Sequence, residues 1–304
     1  MKSTVWKSTF REIRQSLGRF LAILAIVALG VGLFAGLKAT QPAMVKTTQD
    51  FFDDTNFYDY RLLSTHGFVQ EDVETFRDKE DVEAAEGALQ FDILCESTGE
   101  NTLVLKAHSI TEDVNRLMVI AGRLPENPDE CVVDANLYDE SWIGKKIKLS
   151  ETNAETDLEH FAYDEYVITG TVRSPLYIQF ERGTTSLGSG TVSGFMFLMP
   201  EGFAEDFYTE IYIAFDHDFA MYSEEYEAFL AKRQEDWEIT SLAAVRERYM
   251  TSLAEFNSRI ADGEKAWSEL KEPETYVLGR DTNVGYVCFE NDSAIVDGIA
   301  NVFP

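Results

Sequence analysis

From Phe20 to Leu37 the chain reads FLAILAIVALGVGLFAGL, 18 residues without a charged or polar side chain. As an α-helix this stretch is about 27 Å long, close to the hydrocarbon thickness of a bilayer. A helix of that length in a soluble core normally keeps a polar face. This one has none, so the pattern predicts a membrane helix over 20–37. Within it Ala28, Gly32 and Gly36 recur every fourth residue, a small-residue stripe of the kind that lets another membrane helix approach closely.

After Lys38 the pattern becomes that of a mixed α+β globule. FYDYRLLS (57–64) is rich in β-formers and predicts a first strand, and QEDVETFRDKEDVEAAEG (70–87) has helical spacing with an acidic start. GALQFDILCES (87–97) and NTLVLKAHSI (101–110) predict a hairpin around Thr98-Gly99-Glu100, and TEDVNRL from Thr111 a short helix. From Ala121 the texture shifts to a proline-rich turn followed by short strands, CVVD, KKIKLS, YVITGTV and GFMFLMP, which predicts a β-rich subdomain over 121–200. EDFYTEIYIAF (205–215) returns to strand character and is expected to pair with the first α/β unit. That unit then spans 38–120 and 201–241, with 121–200 inserted into it. Leu242, Val245, Tyr249, Leu253, Phe256 and Ile260 form a heptad-like stripe that predicts a helix over 242–271, ending before Pro273. Residues 275–289 read as extended chain, and NDSAIVDGIANVFP as a helix within a final segment, 272–304.

Charge orients this plan. Lys2, Lys7, Arg11, Arg14 and Arg19 against Glu12 make residues 1–19 +4, which leaves −32 for the rest of a chain whose net charge is −28. The positive-inside rule then keeps the N-terminus in the cytoplasm and exports everything after Lys38. With Trp6, Phe10, Ile13 and Leu17, the basic residues predict a short amphipathic helix on the inner membrane surface. A cleaved signal peptide has a shorter apolar core of about 7–15 residues and a small-x-small site. GLKATQPA does not supply one, so an uncleaved anchor is expected.

Chemistry is sparse. The acidic balance excludes a nucleic-acid binder, which needs a basic face. His66, His108, His160 and His217 lie far apart, and Asp216-His217-Asp218 reads as a surface strand end. GSGTVSG (188–194) is followed by a strand rather than a helix, which excludes a dinucleotide loop and predicts a hairpin loop. No GxSxG or Walker A pattern occurs. Cys95, Cys131 and Cys288 read either as three buried thiols or as a set containing a Cys95–Cys131 disulfide. The expectation is a non-enzyme with no catalytic, metal or cofactor residues.

The segment REIRQSLGRFLAILAIVALGVGLFAGLKAT (11–40) resembles the start of the FtsX-like, or MacB-type, ABC transporter permeases. AGRLPENPDECVVD with IGKKIKLS, SPLYIQFERGTTSLGSGTVSGFMFLMPEGF, and TYVLGRDTNVGYVCFENDSAIVDGIANVFP fit the same family. The resemblance implies a MacB-like periplasmic core domain, a split α/β porter-like unit carrying an inserted β-rich unit. It further implies a second membrane helix after residue 304, making this sequence a fragment of a permease. It also implies a partner set of lipid bilayer, a cytoplasmic ABC ATPase that itself binds ATP, and a second permease half or copy. The function so implied is the membrane subunit of an ABC transporter handling peptides, lipids or lipoproteins. The reading from a different class is a single-pass anchored sensor or scaffold for a cell-wall hydrolase or an antimicrobial peptide.

Overall fold

The computed structural model describes residues 16–96, 102–260 and 274–302. The first element, α1 (Leu17–Thr55), is one continuous helix of 39 residues, about 58 Å long. It is long and apolar enough to cross a membrane. Pro42 lies inside it, where it cannot donate to the carbonyl of Lys38. Asn56 ends the helix in the left-handed region at φ 50°, and the amide of Phe57 reaches back to the carbonyl of Phe52 at 3.0 Å.

Two compact units divide the chain, residues 1–48 with 289–304 and residues 49–288. In the first, Phe34, Leu37, Gln41, Met44, Val45 and Thr48 form a half-buried stripe on α1. In the later part of α5 (Val284–Val302), Ser293 is buried and Val296 half-buried. The predicted amphipathic helix over 1–19 lies outside the described residues except for its last four.

The second unit contains two sheets. The four-stranded sheet is antiparallel and built from β1 (Tyr60–Phe68), β2 (Val82–Ala88), β10 (Tyr208–Phe215) and β11 (Thr275–Gly279), in the order β11-β1-β10-β2. The helices α2 (Gln70–Arg77) and α4 (Glu224–Ile260) cover one of its faces. Alternation along the strands puts Tyr60, Leu62, Ile211 and Ile213 into this core with Phe76, Trp237 and Val245. The same alternation turns Arg61, Glu210 and Tyr212 to the other face.

The seven-stranded sheet takes β3 (Gln90–Glu96), β4 (Thr102–Ser109), β5 (Met118–Gly122), β6 (Glu130–Asp134), β7 (Lys146–Lys148), β8 (Glu165–Arg173) and β9 (Gly194–Leu198). Its order is β3-β4-β9-β6-β8-β5, with β7 also paired to β8. A single-turn helix, α3 (Glu155–Leu158), packs Leu158 against its core, which holds Ile93, Leu105, Cys131, Ile168 and Met196. As the strand pattern predicts, β10 returns to pair with β1 and β2, so the seven-stranded sheet is an insertion between β2 and β10.

Several elements differ from their sequence reading. The helix expected over 70–87 stops at Arg77, because Asp81 turns left-handed at φ 67° and the buried alanines 84, 85 and 88 pair as β2 with β10. The larger sheet begins at Gln90 rather than at 121, since the β3–β4 hairpin pairs with β9 through β4. Residues 111–117 form no helix. The Glu86 carboxylate captures the amides of Glu112, Asp113 and Val114 at 2.8–3.0 Å, and Asn115 goes left-handed. The helix expected over 242–271 starts at Glu224, because Tyr226 and Trp237 anchor it to the domain before the stripe begins. Its predicted end lies outside the described residues, as does the tip of the 98–100 hairpin. Leu242 of that stripe is exposed, whereas Val245 is buried. The extended chain expected over 275–289 ends at Gly279, and helix α5 runs from Val284. Cys95 and Cys131 are both buried free thiols in one core.

Candidate functional site: the buried junction at Asp59

The C-terminal turns of α1, the start of β1, the end of β10, the start of α4 and the end of β11 converge on one carboxylate. Asp59 is 1% exposed. Its Oδ2 accepts the amide of Phe215 at 2.8 Å, and its Oδ1 accepts the Tyr226 hydroxyl at 2.5 Å. Arg280 Nη2 lies 3.0 Å from Oδ1, and His217 Nε2 lies 3.1 Å from it. The amide of Phe219 donates to His217 Nδ1 at 3.2 Å, which leaves the ring proton on Nε2, donating to Asp59.

Arg280 does more than neutralise Asp59. Its Nε donates to the carbonyl of Tyr58 at 2.7 Å and its Nη2 to that of Phe57 at 2.8 Å. The guanidinium sits 5.1–5.8 Å from the ring centres of Tyr226, Phe57 and Phe52. Phe52 and Phe57 stack at 4.2 Å, and Phe52 stacks on Tyr286 at 6.1 Å. The residue that closes β11 therefore clamps the backbone that follows α1. Burial by itself pushes the Asp59 carboxyl up, but Arg280, His217, the Phe215 amide and the Tyr226 hydroxyl outweigh it and hold the carboxyl below its ordinary range. Burial pushes the Tyr226 phenol far up, so Tyr226 acts as a donor.

The C-terminus of α1 is satisfied by the loop that replaces the expected helix. Arg116 donates its amide to Thr55 at 2.7 Å and its guanidinium to the carbonyl of Asp54 at 3.3 Å. The guanidinium places a cation where the helix dipole favours one. A cavity of about 550 Å³ opens beside the junction, bordered by Asp53, Asp59, Glu83, Arg116, His217 and Arg280. No group of His, Cys, Asp or Glu arranged to hold a metal occurs among the described residues.

Of the residues the sequence singled out, Lys7, Arg11 and Arg14 lie outside the described residues, and Arg19 is exposed near the start of α1. Ala28, Gly32 and Gly36 are exposed, and a Cβ built on either glycine meets open space. At 100° per residue these three lie roughly opposite the stripe from Phe34 to Thr48. His217, read as a surface residue, is half-buried against Asp59. Asp59, Tyr226 and Arg280 escaped the sequence reading. The available signal was a lone acid inside an aromatic strand start, FYDYR, and a lone arginine after a β-rich run, TYVLGR.

No family model matches the sequence, and no curated protein matches it. Among solved structures, the chain is similar to the extracellular domain of YknZ, a noncanonic ABC-type transporter from Gram-positive bacteria, at 10% identity and a TM-score of 0.39 over 72% of this chain and 98% of that one. It is similar to the periplasmic region of MacB from Actinobacillus actinomycetemcomitans at 11% identity and a TM-score of 0.38, covering 78% and 95% of the two chains. A domain of a protein described as a permease, from Porphyromonas gingivalis, is 12% identical with a TM-score of 0.35, covering 73% of this chain and 88% of that one. The chain itself is mixed α+β, with an apolar helix near its N-terminus.

Proposed function

We propose that this chain is the membrane-anchored part of an ABC-type permease. In this reading its extracytoplasmic domain is moved by helices whose closure is driven by a separate cytoplasmic ATPase. The observation that carries the reading is the Asp59–Arg280 junction. Lever motion requires that displacement of α1 and of the chain leading into α5 reach the sheets without slack. Arg280 binds the two backbone carbonyls that follow α1 and stands four residues before α5. Residues 38–55 of α1 add about 27 Å of helix beyond the apolar stretch. The N-terminus is cytoplasmic in this reading, and residues after Lys38 are extracytoplasmic.

The test uses the intact protein purified from its native membrane in mild detergent. A nucleotide-hydrolysing subunit is expected to co-purify, and Arg280→Ala is expected to uncouple it, leaving hydrolysis intact while transport-linked conformational change in the domain is lost. Absence of any co-purifying ATPase, with an extracellular protein retained instead, would sink the permease reading in favour of the anchored scaffold.

A further inference from the structure

The four-stranded sheet turns its charged face toward the seven-stranded sheet, and a cleft of about 170 Å³ lies between them. Three cations line it: Arg61 from β1, Lys106 from β4 and Arg182 from the loop before β9. The carboxylates that balance them do not line it. Glu210 pairs with Arg61 at 2.5 Å, Asp92 with Lys106 at 2.6 Å and Asp134 with Arg182 at 2.6 Å, each from outside the cleft wall. Glu181 is the one acid on the wall. Of the charged groups on the wall itself, three are basic and one is acidic, so it offers an anion more charged donors than repelling oxygens.

Arg182 is spent on Asp134 and on backbone carbonyls. Arg61 commits Nε and Nη2 to Glu210 and Gln90. Its Nη1 has no hydrogen bond among the described residues. His108, also on β4, is 2% exposed. One ring nitrogen, Nε2, pairs with the Tyr177 hydroxyl at 2.6 Å, and the other, Nδ1, has no hydrogen-bond partner among the described residues. Burial, reinforced by Lys106 and Arg61, drives the His108 pKa well down, so the ring is neutral and carries one proton. A buried ring nitrogen without a partner is costly, and in a polar cleft it marks the place of a missing one.

We infer that this cleft binds a small oxyanion, a carboxylate or a phosphate, held by Arg61 Nη1, the Lys106 ammonium and His108 Nδ1–H. Its binding selects the tautomer in which Tyr177 donates to Nε2. The ligand bridges β1 of one sheet and β4 of the other beside Asn283, the residue before α5, so occupancy ties the two sheets together at the base of that helix. The inference does not rest on the transport reading. The alternative occupant is water, which fills polar clefts of this size.

The experiment follows the histidine ring nitrogens of the intact ¹⁵N-His-labelled chain in detergent by NMR. The His108 signals are assigned by their loss in His108→Gln. Sodium acetate and inorganic phosphate are titrated separately at ionic strength held constant with chloride. The expected result is saturable movement of the His108 signals with one or both oxyanions. Acetate alone assigns a carboxylate ligand, and phosphate alone a phosphate. Lys106→Gln, its fold checked by an unchanged backbone spectrum, is expected to weaken binding about tenfold or more, as loss of a charged hydrogen-bond partner does. The inference is overturned if the His108 signals follow chloride equally, do not move with either anion, or saturate as tightly in folded Lys106→Gln. Should that variant fail to fold, the parent titration against chloride decides.

Discussion

At the scale of single residues, Asp59 and Arg280 set the stability of the junction. Burying two charges is costly, and the pair is tolerated because every oxygen of Asp59 has a partner and Arg280 has two carbonyls besides. Arg280→Ala removes one partner and leaves the other buried, so we expect a loss of about 3–5 kcal/mol in chemical denaturation. The pH dependence follows from the depressed Asp59 pKa. Its contribution is complete above the ordinary carboxylate pKa of about 4 and is lost as pH falls through the lower folded value. Acid unfolding of the wild type is therefore expected to steepen below about pH 4, and Asp59→Asn to flatten that limb. An unchanged acid limb in Asp59→Asn would show that Asp59 is not the group responsible. None of this was readable beforehand. Periodicity reports which face of an element is apolar, not which lone charge meets another after the chain has gone round two sheets. His217 shows the same limit. DHD at a strand end has a solvent-facing pattern, and only the return of α4 with Tyr226 covers it.

At the scale of elements, α4 and α1 carry separate lessons. The apolar spacing over 242–260 was legible, but the anchor of α4 lies earlier, at Tyr226 and Trp237, in a stretch dominated by Glu, Lys, Arg and Gln. Trp237 stacks on Phe76 and meets Tyr60 and Phe215 edge-on. Trp237→Ala is expected to cost about 3–5 kcal/mol. Leu242→Ala, at an exposed position, should cost under about 1 kcal/mol by the same measurement. Equal costs would mean that the stripe from Leu242, not the tryptophan, holds the helix. On α1 the small residues and the half-buried stripe occupy opposite faces, so Ala28, Gly32 and Gly36 are left exposed by the described residues. Gly32→Leu with Gly36→Leu is expected to abolish disulfide-trapped association with neighbouring membrane helices while leaving the exported domain's thermal unfolding unchanged. Undiminished trapping would assign the stripe to mere helix composition.

At the scale of the whole molecule, the charge step across α1 predicts how the chain lies in the membrane. In a Cys288→Ser background, a membrane-impermeant maleimide applied to intact cells should label Ala43→Cys at once and Lys7→Cys only after permeabilisation. The reverse pattern would invert every assignment of inside and outside. The sequence by itself determined the apolar helix, the charge asymmetry, most strands and the return of β10 to the first sheet. These are set by local runs and by period-2 alternation, which survive without knowledge of partners. Tertiary structure decided where α2 yields to β2, that residues 111–117 cap α1 instead of forming a helix, and that β3 and β4 join the larger sheet. It alone brought Asp59 to Arg280 and His108 Nε2 to Tyr177. Each of these depends on a hydrogen-bond partner far away in sequence, and such a partner leaves no periodic trace in the residues it captures.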